Sequence, residues 1–186
     1  MSKKIMILNG SPRENGNTKE LIKSFTKGAQ SIGNEVVCFD LQKMDIHACL
    51  GCCKGGKNLE SPCVQKDDML QIYKIYQQVD VIVIASPMYY WSVTGQLKCA
   101  FDRLFAVAEI DPNYVNPKKD CILLMPAEGT TESNFAPVKA YYEALLNHLN
   151  WKNIGIVYAG GNMNVGDILN KPEQLQQAED LGKSIL

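Results

Sequence analysis

Asn9-Gly-Ser-Pro-Arg-Glu-Asn-Gly-Asn-Thr18 packs two glycines, two hydroxyls and a single arginine into one short stretch. It follows the apolar run Ile5-Met-Ile-Leu8 and leads into Lys19-Glu-Leu-Ile22, where a helix opens. The chemistry this order serves is anion binding. Backbone N–H groups at a helix start are unpaired and sit at the positive end of the dipole. Ser11, Asn17 and Thr18 add neutral donors beside Gly16, and Arg13 adds a cation. Two familiar nucleotide loops are excluded by spacing. A Walker A loop has four residues between its glycines and then Lys, whereas five separate Gly10 from Gly16 and Asn17 follows. The dinucleotide fingerprint G-x-G-x-x-G is missing, so Asp40, placed about where a ribose-binding acid would fall, is a decoy. The alternative is an ordinary polar loop between strand and helix, though such loops usually run ~2–6 residues.

A second stretch, Ser86-Pro-Met-Tyr-Tyr-Trp-Ser-Val-Thr-Gly95, sets three consecutive aromatics after an apolar run. Beside a phosphate cradle, this points to a flat ring system. Its edge would bond the loop backbone while Met88 or an aromatic covers a face. Three neighbours in an extended loop cannot all point inward, so some face solvent or a partner. Aromatic packing at a sheet edge is the competing explanation.

Cysteine is the third chemical signal. Cys49-Leu-Gly-Cys52-Cys53 and Cys63 offer four thiols, but a four-iron cubane draws its ligands from C-x-x-C repeats. Gly55 stands where the next ligand should fall, and Cys53 duplicates Cys52. Structural zinc also wants well-spaced ligands. No metal is therefore assigned, and the loop is read as carrying incidental or redox-sensitive thiols. Gly51, Gly55 and Gly56 would keep it pliable. Asp67 and Asp68 read as helix-start residues. His47 and His148, the only histidines, belong to no legible triad or H-x-x-x-H pair. Gly160-Gly-Asn-Met-Asn-Val-Gly-Asp167 reads as a plain return loop, and Leu97, Phe101, Leu104 and Phe105 as a packing stripe.

These residues need a frame that brings loops together. Near-continuous apolar runs at 4–9, 35–40, 79–85, 120–126 and 153–159 predict strands covered on both faces. Helices are predicted at 17–32, 66–78, 93–107, 132–149 and 172–185. Such alternation implies an α/β doubly wound, five-stranded parallel sheet with helices on both faces. In the order 2-1-3-4-5, the loops after strands 1 and 3 flank the switch point where ligands bind. Segments 41–65 and 108–118 are long enough to be functional.

The 186 residues make a single domain's worth of chain. A net charge of −1 without a Lys/Arg cluster argues against nucleic acid as a partner. No apolar run reaches the ~18–20 residues of a membrane span. Seven cysteines, with Cys38, Cys99 and Cys121 in apolar patterns, predict mostly buried thiols in a reducing, cytoplasmic setting.

Gly10-Ser-Pro-Arg-x-x-Gly-Asn-Thr18, Ser86-Pro-Met-Tyr89, and Ser92-Val-Thr-Gly-Gln-Leu-Lys98 leading to Phe101-Asp-Arg103 resemble the NAD(P)H-dependent FMN reductase family of flavodoxin-like proteins. The likeness runs from residue 4 to about 160 and implies one flavodoxin-like FMN-binding domain over 1–186. It implies that Ser11, Arg13, Asn17 and Thr18 hold the FMN phosphate. Pro87, Met88, Tyr89 and Tyr90 would lie along the isoalloxazine, and Ala127, Glu128 and Gly129 would complete the pocket. NAD(P)H would be co-substrate, giving hydride to bound FMN, with a small quinone-like or flavin-like molecule as acceptor. A homodimer or higher homo-oligomer is implied, built partly on the helix of the Leu97 stripe. The cysteines, with Val64-Gln-Lys-Asp-Asp-Met69, resemble the loop of iron–sulfur flavoproteins, a sister group. An iron–sulfur flavoprotein and a flavodoxin-type electron carrier are thus the alternatives. The near-neutral charge weighs against the carrier. A binding module that has lost its flavin is a further rival.

Overall fold

The computed structural model describes residues 2–186. Five parallel strands, β1 (Lys4–Asn9), β2 (Glu35–Asp40), β3 (Val81–Ala85), β4 (Asp120–Pro126) and β5 (Lys152–Ala159), pair in the order β2-β1-β3-β4-β5. Between them run α1 (Asn17–Ser31), α2 (Met69–Tyr76), α3 (Gly95–Arg103), α4 (Phe105–Ala108), α5 (Glu132–Leu149) and α6 (Pro172–Lys183). This is the flavodoxin-like doubly wound sheet.

The two-residue period of a strand divides the core into two layers. Ile5, Ile7, Val81 and Val83 point to one face, where Leu21, Ile22, Phe25 and Ala29 of α1 and Ala178 of α6 cover them. Met6, Leu8, Ile82 and Ile84 point to the other, packing with Ile72, Tyr76, Leu97, Phe135 and Tyr142. Every residue of β3 is buried because both its faces and both its edges are covered. β2 lies at a sheet edge, and there Cys38 is exposed. That corrects the expectation of a buried thiol: a hydrophobic pattern on an edge strand does not bring full cover. Cys121, on the interior strand β4, is fully buried, and burial pushes its thiol up to about 12.

The strands begin and end within two residues of the sequence-based limits, but two helices differ more. α2 starts at Met69 because Asp67 and Asp68 turn their carboxylates to backbone N–H groups, Asp67 to Met69 and Asp68 to Asp45. The helix expected over 93–107 breaks at Leu104. There the Tyr73 hydroxyl donates to the Arg103 carbonyl at 2.9 Å, and Val107 N–H turns to Leu104 O instead.

Candidate functional site

Gly10, where β1 passes into its loop, has no room for a side chain. A Cβ there would lie 2.6 Å from Thr94 Oγ1 and 2.7 Å from Leu97 Cβ. The Gly10 N–H donates to Ala85 O at 2.8 Å, and the Thr94 hydroxyl donates to Gly10 O at 2.7 Å. Thr94 N–H in turn donates to the Ser86 hydroxyl at 3.0 Å. The loops after β1 and β3 are thereby stitched into one rim at the switch point.

Within the first loop, Ser11 N–H donates to Asn9 Oδ1 and Arg13 N–H donates to Ser11 Oγ, two side-chain turns that curl the backbone. The curl delivers Gly16 as the cap of α1, with no side-chain oxygen on the helix end. The N–H groups of Asn17 and Thr18 and the Thr18 hydroxyl make no hydrogen bond among the described residues, although both residues are buried.

They open on a cavity of about 260 Å³ walled by Pro87, Met88 and Tyr89 after β3, Ala127 and Glu128 after β4, and Asn162 and Met163 after β5. A second cavity of about 500 Å³ adjoins it through Met88, Ala127 and Glu128 and continues past Gly129 to Tyr90, Trp91 and Asn134. All twelve positions named from the sequence line one or the other. Uncapped helix N–H groups, a free hydroxyl and a nearby guanidinium fit the phosphate of FMN. The walls 87–90 and 127–129 leave a trough for its ring.

Two side chains have other duties than expected. Asn17 Nδ2 donates to Asn164 O at 2.8 Å and its Oδ1 accepts Ile168 N–H, so the carboxamide is anchored to the chain after β5 while its backbone N–H faces the cradle. Arg13 Nη1 donates to Met163 O at 2.7 Å, which fixes the cation over the cavity mouth. Both bonds end on the loop after β5, read as plain return from its sequence. Asn162 and Met163 were missed because their loop contributes mainly backbone; the paired Gly160-Gly161 at the end of a strand was the available signal. Asp40 accepts from Asn9 Nδ2 at 2.8 Å and Lys19 Nζ at 2.9 Å. Burial raises its carboxyl, but those bonds outweigh burial and hold it below the usual carboxylate range. Glu128 is exposed and forms no ion pair among the described residues.

The cysteine loop packs elsewhere, against α4. Gly55 N–H donates to Glu109 Oε2 at 3.0 Å and Gly56 N–H to Pro62 O at 2.9 Å, and a Cβ on either glycine would strike Glu109. These glycines serve close packing, not the pliability expected of them. Cys63 is buried, Cys52 half-buried, and Cys49 and Cys53 exposed. No three His, Cys, Asp or Glu side chains among the described residues gather as metal ligands. His47, on this loop, is exposed beside Asp45 and Asp67.

Residues 3–122 match the profile of the NADPH-dependent FMN reductase family. An iron-sulfur flavoprotein of Archaeoglobus fulgidus is 30% identical over 178 residues, covering 95% of this chain and 76% of that protein. One from Methanocaldococcus jannaschii is 34% identical over 112 residues, 60% of this chain, and the match spans 56% of that relative's length. Among solved structures, an NAD(P)H:quinone oxidoreductase from Methanothermobacter marburgensis aligns with a TM-score of 0.78 at 19% identity, covering 100% of this chain and 96% of that one. An FMN-dependent NADH-azoreductase from Bacillus anthracis, in complex with FMN, aligns at 0.71 and 13% identity, over 96% and 97%. At such identities the structural likeness concerns the fold. The relatives' names raise a cluster that these cysteines do not fit, since four thiolates must converge on neighbouring irons.

Proposed function

The chain belongs to the NADPH-dependent FMN reductase family, flavin oxidoreductases that use FMN with NAD(P)H as co-substrate, and from that premise we propose hydride transfer from the nicotinamide to FMN and onward delivery of the electrons to a small acceptor. The observation that carries this is the uncapped start of α1, whose unpaired donors face a trough floored by the loops after β3 and β4. When bound, FMN supplies the redox chemistry through its N5. The chain's residues do the rest. The Asn17 and Thr18 N–H groups and the Thr18 hydroxyl bind the phosphate, with Arg13 balancing its charge. Ser11 holds the curl that aims them. Pro87, Met88, Tyr89 and Tyr90 line the ring on one side, and Ala127, Glu128 and Gly129 on the other. No side chain serves as nucleophile.

The chemistry is tested by mixing FMN-loaded protein with NADPH or NADH without oxygen. Flavin absorbance bleaches with at least one nucleotide; persistent colour with both would refute the reading. The cradle is tested by Thr18→Val, which keeps shape but removes the hydroxyl. FMN affinity falls about tenfold, the worth of a charge-assisted bond, and riboflavin affinity stays within about twofold. Equal losses would detach Thr18 from the phosphate. We further propose a homodimer in a reducing cytoplasm. The exposed rings of Tyr90, Trp91, Phe105 and Tyr114 and the seven free thiols support this. A monomer by sedimentation at micromolar concentration with FMN bound would rule the dimer out. No helix among the described residues is long and apolar enough to cross a membrane.

A further inference from the structure

Asn9 and Asp40 face one another at the last rung of the β1–β2 ladder, where both strands end. Residues sharing a rung project to the same side of the sheet, so the two side chains meet. Asn9 Nδ2 donates to Asp40 Oδ1 at 2.8 Å. An ionised carboxylate only accepts, and this fixes the carboxamide with its nitrogen toward Asp40 and its oxygen away. That oxygen accepts the Ser11 N–H at 3.1 Å. Ser11 Oγ then accepts the Arg13 N–H at 3.2 Å and donates to Arg13 O at 3.3 Å. The curl continues to Gly16, whose N–H donates to Arg13 O and whose Cβ, if present, would lie 2.9 Å from Arg13 Cβ.

The bonds close into a ring around the loop. Lys19, in the first turn of α1, donates to both Asp40 oxygens at 2.9 and 3.1 Å. Asp40 therefore joins the start of the helix to the end of the strand before it, and Lys19 balances its charge. Without that carboxylate, nothing distinguishes the two ends of the Asn9 carboxamide. A flipped Asn9 would set its NH2 against the Ser11 N–H, donor against donor. Asn9 is 3% and Ser11 6% exposed, so water cannot stand in for the lost acceptor.

Resting on the proposed FMN site, we infer that Asp40 is a positioning residue for the flavin phosphate: through Asn9 and Ser11 it holds the loop in the curl that aims the α1 donors. It lines neither cavity, so it acts from behind the loop and touches no ligand. Its place at the end of β2 is that of a ribose-binding acid, but its oxygens are engaged by Asn9 and Lys19. The sign of its effect separates this role from simple electrostatics. If Asp40 acted only as a nearby negative charge, removing it would free Lys19 and tighten phosphate binding. A relay through Asn9 demands the opposite.

FMN and riboflavin affinities are measured by fluorescence titration of the full chain freed of flavin. Asp40→Val suits a strand but offers no acceptor; it weakens FMN about tenfold and leaves riboflavin within twofold. Asp40→Asn frees Lys19 equally but still accepts from Asn9, and FMN affinity stays within threefold of wild type. Asn9→Ala loses as much FMN affinity as Asp40→Val, and the double variant loses no more than either, since both break one relay. Thermal melting confirms that each variant is folded, with Asp40→Ala in place of the valine variant if that one is not. Unchanged or tighter FMN binding in Asp40→Val would overturn the inference. Equal losses for riboflavin would do the same, as would losses that multiply in the double variant. A wild type that shows no preference for FMN over riboflavin would sink the phosphate cradle and this inference with it. A wild type that prefers FMN, matched by Asp40→Val, would sink this inference alone.

Discussion

Arg103 is buried in the core, where a cation needs full compensation. Its Nη1 donates to Asp67 Oδ2 at 2.7 Å and to His47 O at 2.9 Å, and its Nη2 donates to Asp67 Oδ1 at 3.0 Å; both side chains of the pair are 1% exposed. The pair ties the root of the cysteine loop to the end of α3. Removing one partner would leave the other charged and buried, so Asp67→Ala costs roughly 3–5 kcal/mol in urea unfolding. The pH dependence has a fixed sign. Burial raises the Asp67 carboxyl, but the Arg103 bonds and the His47 N–H outweigh that and lower it below its ordinary value. A lowered folded pKa contributes stability above the unfolded value of about 4, and the contribution fades as pH falls through the folded value. The stability gap between wild type and Asp67→Ala therefore narrows on acidification below about pH 4. A gap that stays constant or widens down to about pH 2 would contradict this account.

At the scale of elements, the strands were legible because a doubly covered sheet demands unbroken runs such as Val81-Ile-Val-Ile-Ala85. The cradle was legible too, since glycine, hydroxyl and helix start occur in consecutive residues. What escaped reading depends on distant partners. The ends of α2 and α3 depend on Asp68 accepting the Asp45 N–H from 23 residues away and on Tyr73 bonding Arg103 O across 30, although Asp67 and Asp68 themselves were legible as helix-start residues. The Asn162 side of the site is carried by backbone carbonyls that any sequence possesses. The hairpin closed by Tyr89 and Ser92 escaped because its corner residues, Tyr90 and Trp91, oppose its left-handed conformation. That conflict yields a prediction. Tyr90→Asn places a residue tolerant of φ > 0 where an exposed ring now stands, and stabilises the protein by about 0.5–1 kcal/mol. Chemical denaturation measures it, and a loss of stability would show that the Tyr90 ring is held by contacts beyond the strained turn.

For the whole molecule, the open question raised by its relatives is whether it carries iron. Proteins named iron-sulfur flavoproteins match up to 95% of this chain, so descent alone would favour a cluster. The side chains argue otherwise. Cys63 is buried near Tyr73 and Arg103, on the core side of the loop, whereas Cys49 and Cys53 point to solvent. Cys53 holds a left-handed φ of 46°, and Gly51 N–H is turned onto Cys49 Sγ at 3.4 Å. Rearrangement to converge four thiolates is opposed by Gly55 and Gly56, clamped on Glu109 at the middle of the loop. Gly55 is also the position where C-x-x-C spacing requires the third ligand. Protein produced and purified without oxygen, with iron and sulfide supplied, therefore retains FMN and contains well under one iron per chain. Gly55→Cys tests the argument from the other side. Its Cβ would strike Glu109 Oε2, so this variant supplies the missing ligand and opens the clamp together, and it gains iron and sulfide that the unaltered protein does not. Stoichiometric iron and acid-labile sulfide in the unaltered protein would overturn the geometric argument. The chain would then be a carrier of single electrons, with its cysteine loop reorganised around a cluster.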